Sequence, residues 1–127
     1  MQPVFLDISQ IMRLHHSLIE HYGGAEGLRE QSLLLAAVAM PQATFEGNYL
    51  HTDLFEMGAA YLYHIVQGHP FVDGNKRTGA AAALVFLALN GLEVEADEDG
   101  LVEMTIAVAS GKCSKAQAAD FLRRFAL

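Results

Sequence analysis

Ten consecutive apolar residues, Ala80 to Leu89 (AAAALVFLAL), constrain this chain more than any other feature in it. Gly79 precedes the run, and Asn90-Gly91 closes it. A membrane span needs about 20 such residues, so this one is too short. Ala and Leu favour helix, and the run has no polar face. It therefore predicts a helix buried on all sides, with the other elements packed around it. Directly before it stands HPFVDGNKRTG, His69 to Gly79, with six polar or charged residues in eleven. A buried helix that opens on such a stretch needs a chemical reason for it.

The 127 residues fit one domain, 1–127, large enough for its own core. Hydrophobic residues make up 52 %, well above the level of disordered chains. The formal net charge is −7 with only eight Lys and Arg, which argues against a nucleic-acid footprint. Of those eight, Lys112, Lys115, Arg123 and Arg124 read as a solvated helix end. The single cysteine, Cys113, allows no internal disulfide, and MQPVFLDISQ lacks the pattern of a signal peptide. The expected location is the cytoplasm, with no membrane contact.

Apolar spacing and breakers divide the chain into helices. Ser9 can cap a first helix carrying Ile11, Leu14, Leu18 and Ile19, ended by Gly23-Gly24. A second runs from Leu28 to Met40 and stops before Pro41. Residues 41–51 have no helical period, and Gly47-Asn48 between Phe45 and Tyr49 suits a small β-hairpin or an extended flap. Thr52 or Asp53 starts a third helix that reaches about Val66, and Asn75 to Leu89 is the fourth. A short extended piece at Leu92–Ala96 leads to a fifth helix, about Glu98–Ser110, and a sixth, about Ser114–Phe125. The fold class is all-α, a helical bundle around one buried central helix, with the flap as its β element.

The polar stretch is the entrance to the fourth helix. The first N–H groups of a helix lack internal partners, and the dipole makes that end positive. Gly74 removes a side chain where an anion would come close, and Asn75, Lys76 and Arg77 add donors. Cations at a helix N-terminus are unfavourable alone, so Lys76 and Arg77 imply a compensating anion. His69 can serve as a general base near neutral pH. Asp73 is one carboxylate beside the anion site, which with substrate phosphates is a common way to hold Mg2+; it is also a good helix cap and can do both. Thr78 can donate to a phosphate or bond back to the helix. A base, a metal carboxylate and an anion site within nine residues suit transfer of a phosphate-containing group to a hydroxyl. Of the remaining histidines, His15, His16, His21 and His64 lack metal-ligand spacing, and Arg29 with Glu30 reads as an ion pair at a helix start.

HPFVDGNKR resembles the HPFxxGNxR motif of the Fic superfamily at every fixed position. LHHSLIEHYGGAEGLRE (14–30), LLLAAVAMPQATFEG (33–47) and NKRTGAAAALVFLALNG (75–91) are similar to its smaller death-on-curing (Doc) branch. The resemblance covers most of the chain and implies a Fic/Doc-like helical bundle. It implies His69 as the base that deprotonates a target hydroxyl, Asp73 as the Mg2+ carboxylate, and Gly74, Asn75, Lys76 and Arg77 as the phosphate site for ATP. It further implies a toxin of a type II toxin–antitoxin pair, inhibited by a cognate antitoxin. In the Doc branch the γ-phosphate of ATP goes to a threonine of elongation factor Tu.

Two departures bear on the reaction. Adenylylating Fic enzymes commonly have Gly at the position of Lys76 and a second Arg at that of Ala80, so this chain matches the kinase-like Doc pattern there. Gly74 follows the broader Fic pattern, since the Doc branch has Ala. AMP transfer is therefore the alternative reaction, and a binding module without turnover is a third reading that the intact His69 disfavours. The self-inhibitory pattern (S/T)xxxE(G/N) comes nearest at Thr52–Met57 (TDLFEM) and fails at Met57, so inhibition is expected from another chain.

Overall fold

The computed structural model describes residues 2–127. Among them the elements are α1 (Ile8–Tyr22), α2 (Gln31–Ala39), a 3-10 turn (Met40–Gln42), β1 (Thr44–Phe45), β2 (Asn48–Tyr49), α3 (Leu54–Gly68), α4 (Asn75–Leu89), α5 (Glu98–Ala109) and α6 (Lys115–Arg124). The chain is an all-α bundle with one small antiparallel hairpin, pairing Thr44 with Tyr49 and Phe45 with Asn48. None of the helices is long and apolar enough to cross a membrane.

The central helix is α3 and not α4, which carries the ten-residue apolar run. It packs against α2, the 3-10 turn, α4, α5 and α6. Met57, Ala59, Ala60, Tyr61, Leu62 and Ile65 are wholly buried. Helix α4 buries Ala82, Ala83, Phe86 and Leu87 against it but leaves Val85 and Leu89 exposed. The two run antiparallel at very short range. A Cβ on Gly79 would meet Val66 Cγ2 at 2.8 Å and the Leu62 carbonyl at 3.1 Å, and one on Gly58 would meet Leu87 at 3.2 Å. Glycine at both ends of the contact lets the helices approach, and the polar stretch is the loop that joins them.

Boundaries moved where polar groups had better partners. Helix α1 is capped by Asp7, not Ser9: Asp7 Oδ1 accepts from the Gln10 amide at 2.8 Å, and Gln10 Oε1 accepts from the Asp7 amide at 2.8 Å. Helix α2 starts at Gln31, because Leu28 is held in a backbone bridge to Phe71. Pro41 does not stop the chain at once; it opens the 3-10 turn. Asp53 caps α3 through the Glu56 amide at 2.8 Å, and Ser114 with Gln117 makes a capping box on α6. The piece at 92–96 is reduced to one bridge, Val94 with Ala126. Tyr61 pins the segment before α1: its hydroxyl accepts from the Leu6 amide at 2.8 Å and donates to the Leu6 carbonyl at 3.1 Å. Burial pushes that phenol up to about 12.

Candidate active site

His69, Asp73, Gly74, Asn75, Lys76 and Arg77 all line one cleft of about 510 Å³. Leu18 and Tyr22 of α1, Ala80, Ala81 and Leu84 of α4, and Leu101, Val102, Thr105 and Ile106 of α5 form its walls. One end is therefore polar and cationic and the rest is apolar. Glu98, at the start of α5, is the one acid besides Asp73 on the lining.

Each residue reaches the cleft for a local reason. His69 follows the last residue of α3 in the left-handed conformation, φ 52° and ψ 54°, and its side chain stands exposed. Phe71 is buried and stacks on the His15 ring with centroids 3.8 Å apart and planes 4° off parallel. His15 Nε2 lies 2.8 Å from the Asp73 carbonyl; since a carbonyl only accepts, that nitrogen carries the proton. His15 thus braces the loop from below, a role its spacing gave no hint of.

Gly74 is the N-cap of α4, with φ 79°. A Cβ there would meet Ile19 Cδ1 at 3.1 Å and His15 Nε2 at 3.5 Å. Glycine is thus required by the left-handed backbone and by packing towards α1, not only by an approaching anion. Gly74 also displaces Asp73 from the capping role. The Asp73 carboxylate accepts from the Ala25 amide at 3.1 Å and the Gly74 amide at 2.9 Å, which hold its pKa below the usual carboxylate range, with smaller help from His15 and Arg77. Gly24 leaves room for it: a Cβ at that position would come within 2.7 Å of Asp73 Oδ2.

No side chain caps α4, so its first amides face the cleft free for a ligand. Lys76 and Arg77 are exposed beside them, and the Arg77 guanidinium lies 4.3 Å over the Tyr22 ring. Asn75 has a second role beside the expected one. It is buried, its Oδ1 accepts from the Phe71 amide and its Nδ2 donates to the Phe71 carbonyl, both at 2.9 Å. Its side chain closes the loop, and one of its two Nδ2–H donors is spent there. Thr78 is fully buried, lies off the cleft lining, and its hydroxyl has no partner among the described residues, so it makes neither of the two bonds considered for it.

The strand-like segment after α1 was the largest omission of the sequence reading. Residues 24–30 run antiparallel to the loop: the Val72 amide donates to the Gly27 carbonyl at 3.0 Å, Leu28 bridges Phe71, and the Arg29 and Glu30 amides donate to the Pro70 carbonyl at 2.7 and 3.2 Å. Arg29 does not pair with Glu30. Its side chain reaches the carbonyls of His69 and Gly68, while Glu30 accepts from Ser32.

A divalent cation fits this donor set. Asp73 is exposed, kept ionised by two amides, and retains lone pairs directed away from them. No group of three His, Cys, Asp or Glu able to hold a metal occurs among the described residues. The set thus offers one carboxylate, the usual protein share when substrate phosphates complete the shell of Mg2+.

Fold and site together define a helical protein with an uncapped helix start between a histidine and a carboxylate, all on one cleft. The Fic/DOC family model matches residues 5–87, and the chain belongs to that family. It is 38 % identical over 115 residues to "Protein kinase doc" of Escherichia phage P1, covering 91 % of this chain and 90 % of that one. It is 46 % identical over 78 residues to "Toxin Doc" of Mycolicibacterium smegmatis, covering 61 % of this chain and 60 % of that one.

Proposed function

We propose that this chain is a protein-modifying transferase, the toxin of a type II toxin–antitoxin pair, and that it moves the γ-phosphate of ATP to a Ser or Thr hydroxyl. The observation that carries the reading is the convergence of His69, Asp73 and the uncapped start of α4, with Lys76 and Arg77, on one cleft. The relatives named as a Doc kinase and a Doc toxin support the same class.

His69 takes the proton from the target hydroxyl as its oxygen bonds to the γ-phosphorus. The bond from that phosphorus to the β-phosphate oxygen breaks, and ADP leaves. The α4 amides, Lys76 and Arg77 stabilise the charge on the transferring phosphoryl group. Asp73 would hold Mg2+, which when bound neutralises phosphate charge. Ala80 favours γ-transfer over AMP transfer: it lines the cleft one turn after Arg77 and adds no second cation to fix the α-phosphate. The target class is a translation factor similar to elongation factor Tu, and the antitoxin is a separate protein that covers the cleft. His69→Ala is expected to abolish transfer and relieve growth arrest on expression while keeping the helical fold. A fully active His69→Ala protein would remove His69 as the base.

A further inference from the structure

Helix α3 ends at Gly68; the His69 amide still reaches the Ile65 carbonyl at 3.1 Å, but the Gly68 carbonyl has no helical amide ahead of it. One residue, 40 positions earlier, receives the chain as it leaves the helix. Arg29 Nε donates to the His69 carbonyl at 2.7 Å, Nη2 donates to the Gly68 carbonyl at 3.2 Å, and the Arg29 amide donates to the Pro70 carbonyl at 2.7 Å. Three successive carbonyls are thus tied to a single arginine. The guanidinium also places a positive charge at the negative end of α3.

The residue so held is under strain. His69 and Glu46 are the two non-glycine residues with positive φ among those described, and Glu46 sits in a hairpin turn. A branched or ringed side chain at positive φ relaxes to the other side unless its neighbours hold it. No hydrogen bond to the His69 ring occurs among the described residues, so no acid orients this imidazole as it does in a triad. Its aim is set by the backbone angles and its own rotamer; the His69 amide is held by the Ile65 carbonyl, and Arg29 holds the His69 carbonyl on the other side.

We propose that Arg29 is a positioning residue for the transfer reaction, setting where His69 stands relative to the phosphate site. The inference rests on the reading of His69 as the base. The phosphate end is anchored separately, by Asn75 on Phe71 and by His15 on the Asp73 carbonyl, so loss of Arg29 misplaces the base without disturbing ATP. The planar fork matters: Lys keeps the charge but presents a single nitrogen to the two carbonyls.

The test compares wild type, Arg29→Ala, Arg29→Lys and His69→Ala for steady-state transfer, with the His69 ring signals followed by NMR. Arg29 is exposed, so its variants keep the core, which the thermal midpoint checks. In Arg29→Ala, kcat is expected to fall roughly 10²-fold while KM for ATP stays within about twofold, the pattern of a misplaced catalytic group. Arg29→Lys is expected to fall between Arg29→Ala and wild type. The His69 ring signals shift in Arg29→Ala while the Lys76 and Arg77 amides keep theirs. An unchanged kcat, a KM for ATP that rises in step with the loss of kcat, or unmoved His69 signals overturns the inference. Transfer by His69→Ala would instead overturn the reading of the base, and Arg29's role with it.

Discussion

Asn75→Ala separates a clamp from a ligand. Both ends of the Asn75 amide are bonded to Phe71, with Oδ1 and Nδ2 each at 2.9 Å, and both residues are buried. Truncation removes two hydrogen bonds and strands a buried amide and a buried carbonyl that water does not reach. A buried group left without its partner costs about 1–3 kcal/mol, the lost bond included, so the two together cost about 2–6 kcal/mol. For a chain of this length, about 4 °C of Tm accompanies each kcal/mol, giving a fall of roughly 8–24 °C. Differential scanning calorimetry reads this directly, without ATP. Asn75→Asp refines the test: a carboxylate still accepts from the Phe71 amide but opposes the Phe71 carbonyl, so it too loses stability. If Asn75→Ala moves Tm by less than about 2 °C while ATP affinity falls more than about tenfold, the side chain is a phosphate ligand and the clamp argument is wrong.

Two further outcomes follow from the same geometry. Arg77→Ala removes an exposed guanidinium that rests on Tyr22 and is free to turn to a phosphate; ATP binding by calorimetry is expected to weaken by about 10- to 100-fold, the worth of one charge-assisted bond, and an affinity within about twofold of wild type would remove Arg77 from the anion site. His64 sets an acid limit on stability. Burial, then Lys115 at 3.1 Å and His51, push its pKa from 6.5 to about 4, and burial lowers that of His51 as well. A base depressed in the fold stays neutral there while the unfolded chain takes up the proton, so stability is full above about pH 6.5 and falls as pH drops towards about 4. Allowing for solvent screening of a half-buried group, the loss is on the order of 1–2 kcal/mol. The lowered carboxylates Asp53 and Asp73 act only below that window. Urea unfolding at pH 7 and pH 5 is expected to show this loss, and His64→Gln to reduce it; equal pH dependence in both proteins would assign the effect elsewhere.

Much of the site was legible because it is contiguous. His69 to Arg77 span a single loop and helix start, where backbone rules state what is exposed and what is uncapped. What failed were roles that depend on residues far apart in sequence. Asn75 is the exception, since its partner Phe71 is only four residues away; residue type alone does not state that the loop folds back onto its amide. His15 and Arg29 lie 58 and 40 residues from their partners, and no local pattern distinguishes a buried brace from a surface histidine or an ion pair. The central helix was misassigned for a related reason. The unbroken apolar run marks α4 as the most buried element, but Ala80, Ala81 and Leu84 are apolar as a cleft wall, while α3, with Tyr61, Tyr63 and His64 interrupting its apolar residues, carries the true centre. Caps were readable once paired: Asp7 with Gln10 obeys the same capping-box logic as Ser114 with Gln117.

The central claim is γ-phosphate transfer by His69 at this cleft. The most direct measurement incubates the purified chain with Mg2+ and a bacterial lysate, once with ATP labelled at the γ-phosphate and once with ATP labelled at the α-phosphate, alongside His69→Ala. A protein band carrying only γ-label, absent with His69→Ala, is the predicted result. A band carrying α-label would make the chain an adenylyltransferase despite Ala80, and would contradict the account.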